Sequence, residues 1–376
     1  MIYLDNSATT PIDEIVLNAM LPWLRGGFGN ASSIYKLGRE ARVAVEDARM
    51  EFASMLHAHP AEIIFTSGGT ESNNTILKTC AEESGLVDKI HTGSTEHHAV
   101  LHPAQALATR GIDHGLIPVD EHGRVDLGTL AVLNTPRTLV SVMHANNETG
   151  AIQPLAKIRE SIPNALFHSD AVQSFGKIPV DVEALGVDFL TLSAHKIHGP
   201  KGIGVMYIRK GIDFKSHQQG GGQERNRRAG TEPVALIVGA AVAARLAIND
   251  MAGRAEHMSN LIRAAKEQIM QSIPNVRFNT PLEESLPNIL NVSFLDADQL
   301  DGEAILQSMD MRGVAVSNGS ACVSGSVQPS HVLLAMGLPQ AEAKAAVRIS
   351  VSKDNTIAEV QEAITILSDV VRVMRG

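Results

Sequence analysis

The chain contains 376 residues, of which 44% are hydrophobic, and its formal net charge is −9. A chain of this length is too long for one small hydrophobic core. It indicates two domains, or one large α/β domain with a smaller second domain. The negative charge argues against a protein that binds nucleic acid through its phosphate backbone. No apolar run reaches the length needed to span a bilayer, so a membrane is not an expected partner either. With two cysteines and no signal-peptide pattern after Met1, the expected location is cytoplasmic.

Short apolar runs rich in β-forming residues alternate with helical stretches over the first two thirds of the chain. They are "EIIFTS" (62–67), "TLVSVMHA" (138–145), "ALFHSD" (165–170), "VDFLTLS" (187–193) and "GIGVMYI" (202–208). Continuous apolar strands separated by helices predict a mostly parallel sheet covered on both faces. Polar residues follow several of these runs, and open α/β sheets bind ligands at the carboxyl ends of their strands. We therefore expect the functional site at that edge of the sheet.

The last third of the chain predicts a second, smaller unit. Residues 234–273 contain few helix-breaking residues, which predicts one long helix that leads out of the large domain. The strand-like stretches "NILNVSF" (288–294), "VAVSN" and "AVRISVS" then alternate with the helix-like "DGEAILQSMDMRG". The final helix should begin with a capping box formed by Thr356 and Glu359.

A lysine follows the strand predicted at 187–193, in the stretch "SAHKIHGPKG". A lysine at a buried strand end is unfavourable unless it is paired or used, because desolvation disfavours the ammonium ion. A lysine whose pKa is lowered in this way can form a Schiff base. Lys196 is therefore a candidate catalytic residue, although this stretch alone fits a surface lysine equally well.

A carboxylate stands at the end of another predicted strand, in "FHSDAVQS". Asp170 could keep the nitrogen of a pyridine ring protonated. A lysine that forms a Schiff base and an aspartate that pairs with the ring nitrogen are the residues that a protein contributes to pyridoxal phosphate chemistry. Taken alone, Asp170 fits a helix N-cap better. The stretch "SGGTESNN" (67–74) adds glycines, Ser67 and Thr70 at a strand-to-helix junction, where a helix N-terminus favours a phosphate. It is neither a Walker loop nor a dinucleotide-binding motif.

The histidine-rich stretches do not predict a metal site. "STEHHAVLH" and "LHAHP" match neither the HExxH pattern nor a cysteine–histidine ligand spacing. A histidine at a strand end in a cofactor site better fits ring stacking or proton transfer. No bound metal is expected.

One of the two cysteines lies among small and polar residues, in "SNGSACVSGS" (317–326). A structural cysteine is usually buried among aliphatic residues. The other cysteine, Cys80, is distant in sequence and stands in the helical-looking "TILKTCAEES". The open surroundings of Cys322 favour a reactive thiol, whereas Cys80 is expected to pack within a helix.

Together, these motifs resemble those of the cysteine desulfurases, which are pyridoxal phosphate enzymes of the fold-type I, class V aminotransferase group. The resemblance runs nearly end to end and is carried by "YLDNSATTP", "FGNASS", "FTSGGTESNN", "TEHHAVL", "MHANNETGAIQP", "HSDAVQSFGK", "SAHKIHGPKGIG", "GGGQERNRRAGTE", "LPNILNVSF", "SNGSACVSGSVQPSHVL" and "VRISVS". It implies an α/β large domain at 16–255, with a mostly parallel sheet flanked by helices. It also implies a smaller α+β domain formed by 1–15 and 256–376, which carries the cysteine loop.

The resemblance implies a role for each motif residue. Lys196 would bind pyridoxal 5'-phosphate covalently and move the substrate Cα proton, with His97 stacked on the ring to assist. Cys322 would take the sulfur of L-cysteine as a persulfide and leave L-alanine. The other cofactor contacts would be Gly69, Thr70, Asn147, Asp170 (pyridine nitrogen), Gln173 (phenolic oxygen), Ser193, His195 and, from a second subunit, Thr231. The substrate contacts would be Asn30, Asn147 and Arg348, whose bidentate fork suits a carboxylate.

The implied assembly is a homodimer with shared active sites, and the implied partner is a sulfur-acceptor protein. That acceptor could be a scaffold for iron–sulfur clusters, a tRNA-thiolation enzyme or a dedicated protein, and a chain ending at Gly376 resembles relatives that serve the latter two. Asn318 and Ala194 stand where the family usually has serine and glycine.

Other functions are open to a chain with this pattern. A selenocysteine lyase would use the same chemistry on a heavier element. A plain aminotransferase or decarboxylase would not need Cys322. A catalytically silent relative with a binding or regulatory role is hard to reconcile with the joint presence of Lys196, Asp170 and Cys322.

Overall fold

The computed structural model describes residues 1–319 and 328–376. Its strands are Ile2–Tyr3 (β1), Ile63–Thr66 (β2), Lys89–Gly93 (β3), Asp113–Ile117 (β4), Thr138–Ser141 (β5), Leu166–Asp170 (β6), Phe189–Ser193 (β7), Gly204–Ile208 (β8), Val276–Phe278 (β9), Ile289–Phe294 (β10), Val314–Ala315 (β11) and Val347–Ser350 (β12). Its helices are Glu14–Arg25 (α1), Lys36–Leu56 (α2), Gly69–Lys78 (α3), His98–Ala108 (α4), Leu155–Ser161 (α5), Val182–Leu185 (α6), Gln223–Asn226 (α7), Val234–Asn249 (α8), Met251–Ser272 (α9), Gly302–Met311 (α10), His331–Ala335 (α11), Gln340–Ala345 (α12) and Ile357–Arg375 (α13).

Strands β2 to β8 form the main sheet, in the order β2-β8-β7-β6-β5-β3-β4. Strand β8 is antiparallel to both of its neighbours, and the other pairs are parallel. Parallel neighbours bring their carboxyl ends to one edge of the sheet, where their following loops meet. The mostly parallel sheet predicted from the apolar runs is confirmed.

The main sheet is covered by helices on both faces. On one face, Phe65 and Tyr207 belong to a core that includes residues of α1, α2 and α8. On the other face, Ile64 and Met206 belong to a core that includes residues of α3 and α4. Successive side chains of a strand point to opposite faces, so a strand buried on both sides reads as one continuous apolar run.

A separate, smaller sheet has the strand order β12-β10-β9, and β1 pairs with β11 in a two-stranded sheet. A second core joins this smaller sheet to α9, α10 and α13 and includes Leu4 from the start of the chain. The fold class expected from the sequence, a large α/β unit with a smaller α+β unit, is confirmed. The domain bounds at residues 15 and 255 stay a prediction.

The single long helix predicted over 234–273 is wrong, because the chain bends by 73° between α8 and α9. Asp250, at the junction, has φ −115° and ψ 19°, outside the helical region. Its carbonyl accepts from the Arg254 amide and its carboxylate from the Arg254 guanidinium at 3.3 Å. The bond to the carbonyl is the first backbone bond of α9, so a new helix starts at this residue. In the part of the chain that the structure describes, no helix by itself has the length and apolar character to cross a membrane, and α8 and α9 reach that length and composition only when they are taken together as a bent pair.

The capping box predicted for the last helix is confirmed. The Glu359 amide donates to Thr356 Oγ1 at 3.3 Å, and the Thr356 amide donates to a carboxylate oxygen of Glu359 at 2.8 Å. These reciprocal bonds satisfy two of the amides that the first turn leaves without an intrahelical acceptor.

Candidate active site

A cavity of about 380 Å³ lies at the carboxyl ends of β5, β6 and β7. The smaller unit closes it with Ser317, His331 and Arg348. The cavity therefore lies between the main sheet and the second core. The predicted site residues that line it are Gly69, Thr70, His97, Asn147, Asp170, Gln173, Ser193, His195, Lys196 and Arg348.

Lys196 lies one turn beyond β7 and points back into the cavity. Its Nζ donates to the carbonyls of Ser7 and Ala8, at 2.6 and 2.7 Å. Burial, and to a smaller extent the nearby Arg348 guanidinium, lowers the pKa of Lys196 to about 8, against the opposing effect of Asp5 and Asp170. About a tenth of the amine is therefore neutral at pH 7, far more than in an ordinary lysine, and the neutral amine is the form that attacks a carbonyl.

Asp170 ends β6 and is 6% exposed. One carboxylate oxygen accepts from Asn73 Nδ2 at 2.6 Å, and the other accepts from the Val172 amide at 2.9 Å. The helix-cap interpretation of Asp170 is wrong, because turns follow β6 and the next helix is α6; the Val172 contact closes a local turn. The carboxylate is held in a fixed orientation at the wall of the cavity, where it can accept a hydrogen bond from a protonated ring nitrogen.

His97 caps the N-terminus of α4, and its Nδ1 accepts from the Ala99 amide at 3.0 Å. This bond places the ring proton on Nε2. Desolvation by the surrounding protein lowers the pKa of His97, against the opposing effect of Asp170. The imidazole is therefore neutral and presents an N–H group to the cavity.

One end of the cavity is suited to a phosphate. Gly69 and Thr70 open helix α3 at the carboxyl end of β2, and Ser193 and His195 stand at the end of β7. An added Cβ at Gly69 would lie 2.8 Å from the Val172 side chain, so glycine is required for this close approach. A helix N-terminus with flanking hydroxyl groups favours an anion.

Arg348 projects from β12 of the smaller sheet into the cavity. One Nη donates to Asp5 Oδ1 at 2.6 Å and the other to the Asn147 carbonyl at 2.8 Å. Its Nε is buried and has no hydrogen-bond partner in the described residues. The Arg348 guanidinium is thus partly engaged by the protein itself. A substrate carboxylate would bind it beside Asp5 or in place of Asp5.

Three predicted site residues are not among those that line the cavity. Asn30 is exposed, and its side chain accepts from the Ser32 amide at 2.9 Å. Thr231 is exposed on the segment that leads into α8. Cys322 lies at 320–327, outside the described residues, whereas the other cysteine, Cys80, is fully buried, and burial raises its pKa.

The structure also brings into the site residues that the motif reasoning did not single out. Asn73 follows Thr70 by three positions, so both lie on one face of α3, and this helical spacing could have revealed it. Ser7 lies in the quoted stretch "YLDNSATTP", but nothing local indicates that its carbonyl meets Lys196. Glu148 and His331 also line the cavity.

The family model for class-V aminotransferases matches residues 2–363. The protein named cysteine desulfurase IscS from Dictyoglomus turgidum is 44% identical over 379 residues, covering 100% of this chain and 95% of that protein. The chain belongs to the cysteine desulfurase family of class-V aminotransferases. A solved NifS-like protein shares 40% identity and a TM-score of 0.91, with 99% of each chain covered. The structure of SspA in complex with cysteine shares 32% identity and a TM-score of 0.79, covering 95% of this chain and all of that one.

Enzymes of this family depend on pyridoxal phosphate, and the cavity fits such a group. A phosphate cradle at the start of α3 lies at one end, and Asp170 and Lys196 stand deeper in the cavity. Asn73 Oδ1, Gln173 Oε1 and Ser7 Oγ are buried and have no partner in the described residues. Buried polar atoms are rarely left unsatisfied, so these atoms favour a polar ligand in contact with them.

Proposed function

We propose that the protein is a cysteine desulfurase that converts L-cysteine to L-alanine and receives the sulfur on Cys322 as a persulfide. The observation that carries this proposal is the convergence of Lys196, Asp170 and Arg348 in one cavity that Ser317 and Gly319 also line. These last two residues immediately precede the segment that contains Cys322. The described chain therefore reaches the cavity three positions before Cys322.

The cofactor would be pyridoxal 5'-phosphate. Thr70, Ser193 and His195 would hold its phosphate at the start of α3, and Asp170 would accept from the ring nitrogen. Gln173 would face the phenolic oxygen, since its Nε2 has one N–H left after donating to the Ser7 carbonyl at 2.9 Å. When bound, the group supplies an electron sink for bond breaking at the substrate.

Lys196 would transfer protons from and to the substrate, and His97 would assist it. The Lys196 amine, with a pKa of about 8, would accept the Cα proton of the substrate and return a proton to the product. His97 would donate a hydrogen bond from Nε2 next to the ring, because its Nδ1 accepts from the Ala99 amide.

Arg348 and Asn147 would hold the amino acid. The Arg348 guanidinium suits a carboxylate because it offers parallel N–H donors, and its buried Nε is without a partner in the described part of the chain. Asn147 lines the same wall, and its carbonyl already fixes one Nη of that arginine. The carboxylate would thereby be anchored on the side of the smaller unit.

The sulfur step would use the thiolate of Cys322. An S–S bond forms between Cys322 and the substrate sulfur while the substrate Cβ–S bond breaks. The electron pair left on the substrate carbon takes a proton, which completes L-alanine. A thiol reductant or an acceptor protein then removes the sulfur. Cys80 is unsuited to this role because it is fully buried and its pKa is raised by that burial.

The active sites would be shared within a homodimer, with Thr231 reaching the phosphate of the neighbouring subunit. Three residues before it, Arg228 forms a two-pronged ion pair with Glu71 of α3, at 2.8 and 3.1 Å. The segment is thus anchored on α3 of its own chain, but Thr231 itself is exposed and does not line its own cavity, and this exposure supports a contact with the neighbouring subunit. Mixing Lys196→Ala with Thr231→Ala protein should restore turnover, since each mixed dimer would contain one site with both residues intact. No gain on mixing would contradict the shared site.

The test of the function is formation of L-alanine and sulfide from L-cysteine in the presence of a thiol reductant. Cys322→Ser should bind L-cysteine with the wild-type change in the visible spectrum but make almost no alanine. Cys80→Ser is the matched control and should turn over normally. Undiminished alanine formation by Cys322→Ser would contradict the proposal. The identity of the sulfur acceptor and the cytoplasmic location stay predictions.

A further inference from the structure

The buried carboxyl group of Glu148 has no part in the reaction proposed above. Glu148 follows β5, is 2% exposed and lines the cavity. Its side chain lies between the two ends of the segment that contains Cys322, which are residues 317–319 and 328–331. An ionisable side chain is rarely buried without a specific partner, so its contacts indicate its role.

Gly319, on the first of these ends, packs directly against Glu148. An added Cβ at Gly319 would lie 2.8 Å from Glu148 Oε2 and 2.9 Å from its Cγ. Gly319 also has φ +93°, a backbone conformation that favours glycine. Its amide donates to Ser317 Oγ at 3.0 Å. The main chain at this end therefore lies in contact with the carboxyl group and has little space to move towards it.

Ser330, on the second end, is fully buried and donates a short hydrogen bond to Glu148 Oε2. The same Ser330 Oγ accepts from the Leu333 amide at 3.2 Å and caps helix α11. The next residue, His331, contacts the Glu96 carbonyl through Nε2 at 2.9 Å. Glu148 thus also fixes the start of the helix that follows the segment.

Glu148 is itself held from both units of the fold. Its amide donates to Asn146 Oδ1 at 2.8 Å. Its carbonyl accepts from Asn291 Nδ2, on β10 of the smaller sheet, at 3.2 Å. Because the Glu148 backbone is fixed at two points, its carboxyl group has a fixed position relative to the two ends that it contacts.

We infer that Glu148 is a positioning residue whose single carboxyl group holds both ends of the segment that carries Cys322. Fixed positions for both ends lower the entropic cost of bringing the thiol of Cys322 to the bound substrate. The inference deepens the proposed function and depends on it, because it assigns to Glu148 the sulfur-transfer step and not substrate binding.

The test compares Glu148→Ala, Glu148→Gln and Ser330→Ala with the wild-type protein, all loaded with pyridoxal phosphate. Glu96→Gln is the matched control, since Glu96 is an equally buried carboxyl group whose side chain accepts from the Met143 amide, while its backbone carbonyl, which His331 contacts, is kept in the variant. Each protein receives L-cysteine without reductant, and the spectral change on binding and the rate of sulfur addition to Cys322 are measured. Amide hydrogen exchange of residues 317–319 and 328–333 is followed in parallel, and alkylation of the buried Cys80 reports unfolding.

Glu148→Ala should bind L-cysteine as the wild type does but transfer sulfur about 100-fold more slowly, the loss expected from a displacement of about 1 Å. Exchange at the two ends should accelerate while Cys80 stays protected. Glu148→Gln should recover the wild-type rate to within about threefold, because the amide keeps the shape and can accept from Ser330. Ser330→Ala should transfer sulfur about tenfold more slowly than the wild type, between the rates of the two Glu148 variants, since it removes one of the two contacts of Glu148. Glu96→Gln should leave all four readouts unchanged.

Three results would overturn the inference: wild-type transfer by Glu148→Ala, equal losses in Glu148→Ala and Glu148→Gln, or alkylation of Cys80 in step with lost transfer. The first denies any role, the second indicates a role of the charge, and the third indicates a general contribution to stability. If the wild-type protein itself gains no sulfur on Cys322, the proposed function fails instead. The exchange data then still decide whether Glu148 holds the two ends.

Discussion

Arg49 and Glu224 form an ion pair that is almost completely enclosed, with both side chains 2% exposed. Two nitrogens of the Arg49 guanidinium donate to the Glu224 carboxylate at 2.7 and 3.0 Å. The Phe65 amide of β2 donates to the same carboxylate at 3.0 Å. Glu224, Arg225 and Asn226 all have positive φ, of 46°, 56° and 62°. The pair therefore ties a strained segment, which leads to Thr231, to α2 and the main sheet.

Glu224→Ala should lower the free energy of unfolding by about 3 to 4 kcal/mol. Removing one partner of a buried ion pair costs about 3–5 kcal/mol, because the other charge stays buried. Arg49 would keep the Ile63 carbonyl at 2.7 Å and Glu46 at 3.2 Å, which favours the lower end for the charge itself. The Phe65 amide would also lose its acceptor, which adds about 1 kcal/mol.

The assay is urea unfolding followed by circular dichroism, with Glu46→Ala as the matched control. Glu46 also pairs with Arg49, but its side chain is 44% exposed, so its loss should cost at most about 1 kcal/mol. The double variant Arg49→Met with Glu224→Met removes both charges and should recover most of the stability lost in Glu224→Ala. A loss below about 1 kcal/mol in Glu224→Ala, or a double variant less stable than the single one, would refute the reasoning.

Three further predictions follow from the site and the last helix. Because burial lowers the pKa of Lys196 to about 8, the neutral amine dominates above that pH, so covalent loading of the cofactor-free protein, read as visible absorbance, should accelerate with pH, reach half of its maximum rate near pH 8 and level off about one pH unit higher; a rise that continues to pH 10 would contradict this. Asn73→Ala removes the 2.6 Å bond to Asp170 and should speed cofactor dissociation about tenfold, as measured by dilution, whereas unchanged retention would argue against Asn73 as a support of that carboxylate. Thr356→Ala removes the capping hydroxyl of α13 and should lower the unfolding free energy by about 1 kcal/mol in urea, and a change below the error of that assay would show that the cap is dispensable.

The sequence was informative where one local pattern determines one structural feature. The buried strands β2, β5, β6, β7 and β8 can be predicted because strands covered on both faces are continuously apolar. The strands β3 and β4 are not predicted, since Lys89–Gly93 and Asp113–Ile117 contain charged and polar residues; β4 is the edge strand and β3 lies next to it. The bend at Asp250 was missed because its flanking residues favour helix on both sides.

The site was predictable from motifs but its internal contacts were not. Lys196, Asp170 and Thr70 each follow a strand, so the topology alone brings them to one edge. The contacts of Lys196 with Ser7 and Ala8, and that of Arg348 with Asp5, join residues separated by about half of the chain or more. No local pattern encodes such contacts. The role inferred for Glu148 depends equally on long-range packing against Gly319 and Ser330.

The most direct test of the account is the mass of the cysteine-containing peptides after brief exposure of the purified protein to L-cysteine without reductant. We expect the peptide that contains Cys322 to gain the mass of one sulfur atom, in step with formation of L-alanine. The peptide that contains Cys80, which is fully buried, should remain unchanged. Sulfur on Cys80 alone, or alanine formation with both peptides unmodified, would contradict the assignment of Cys322 as the residue that receives the sulfur.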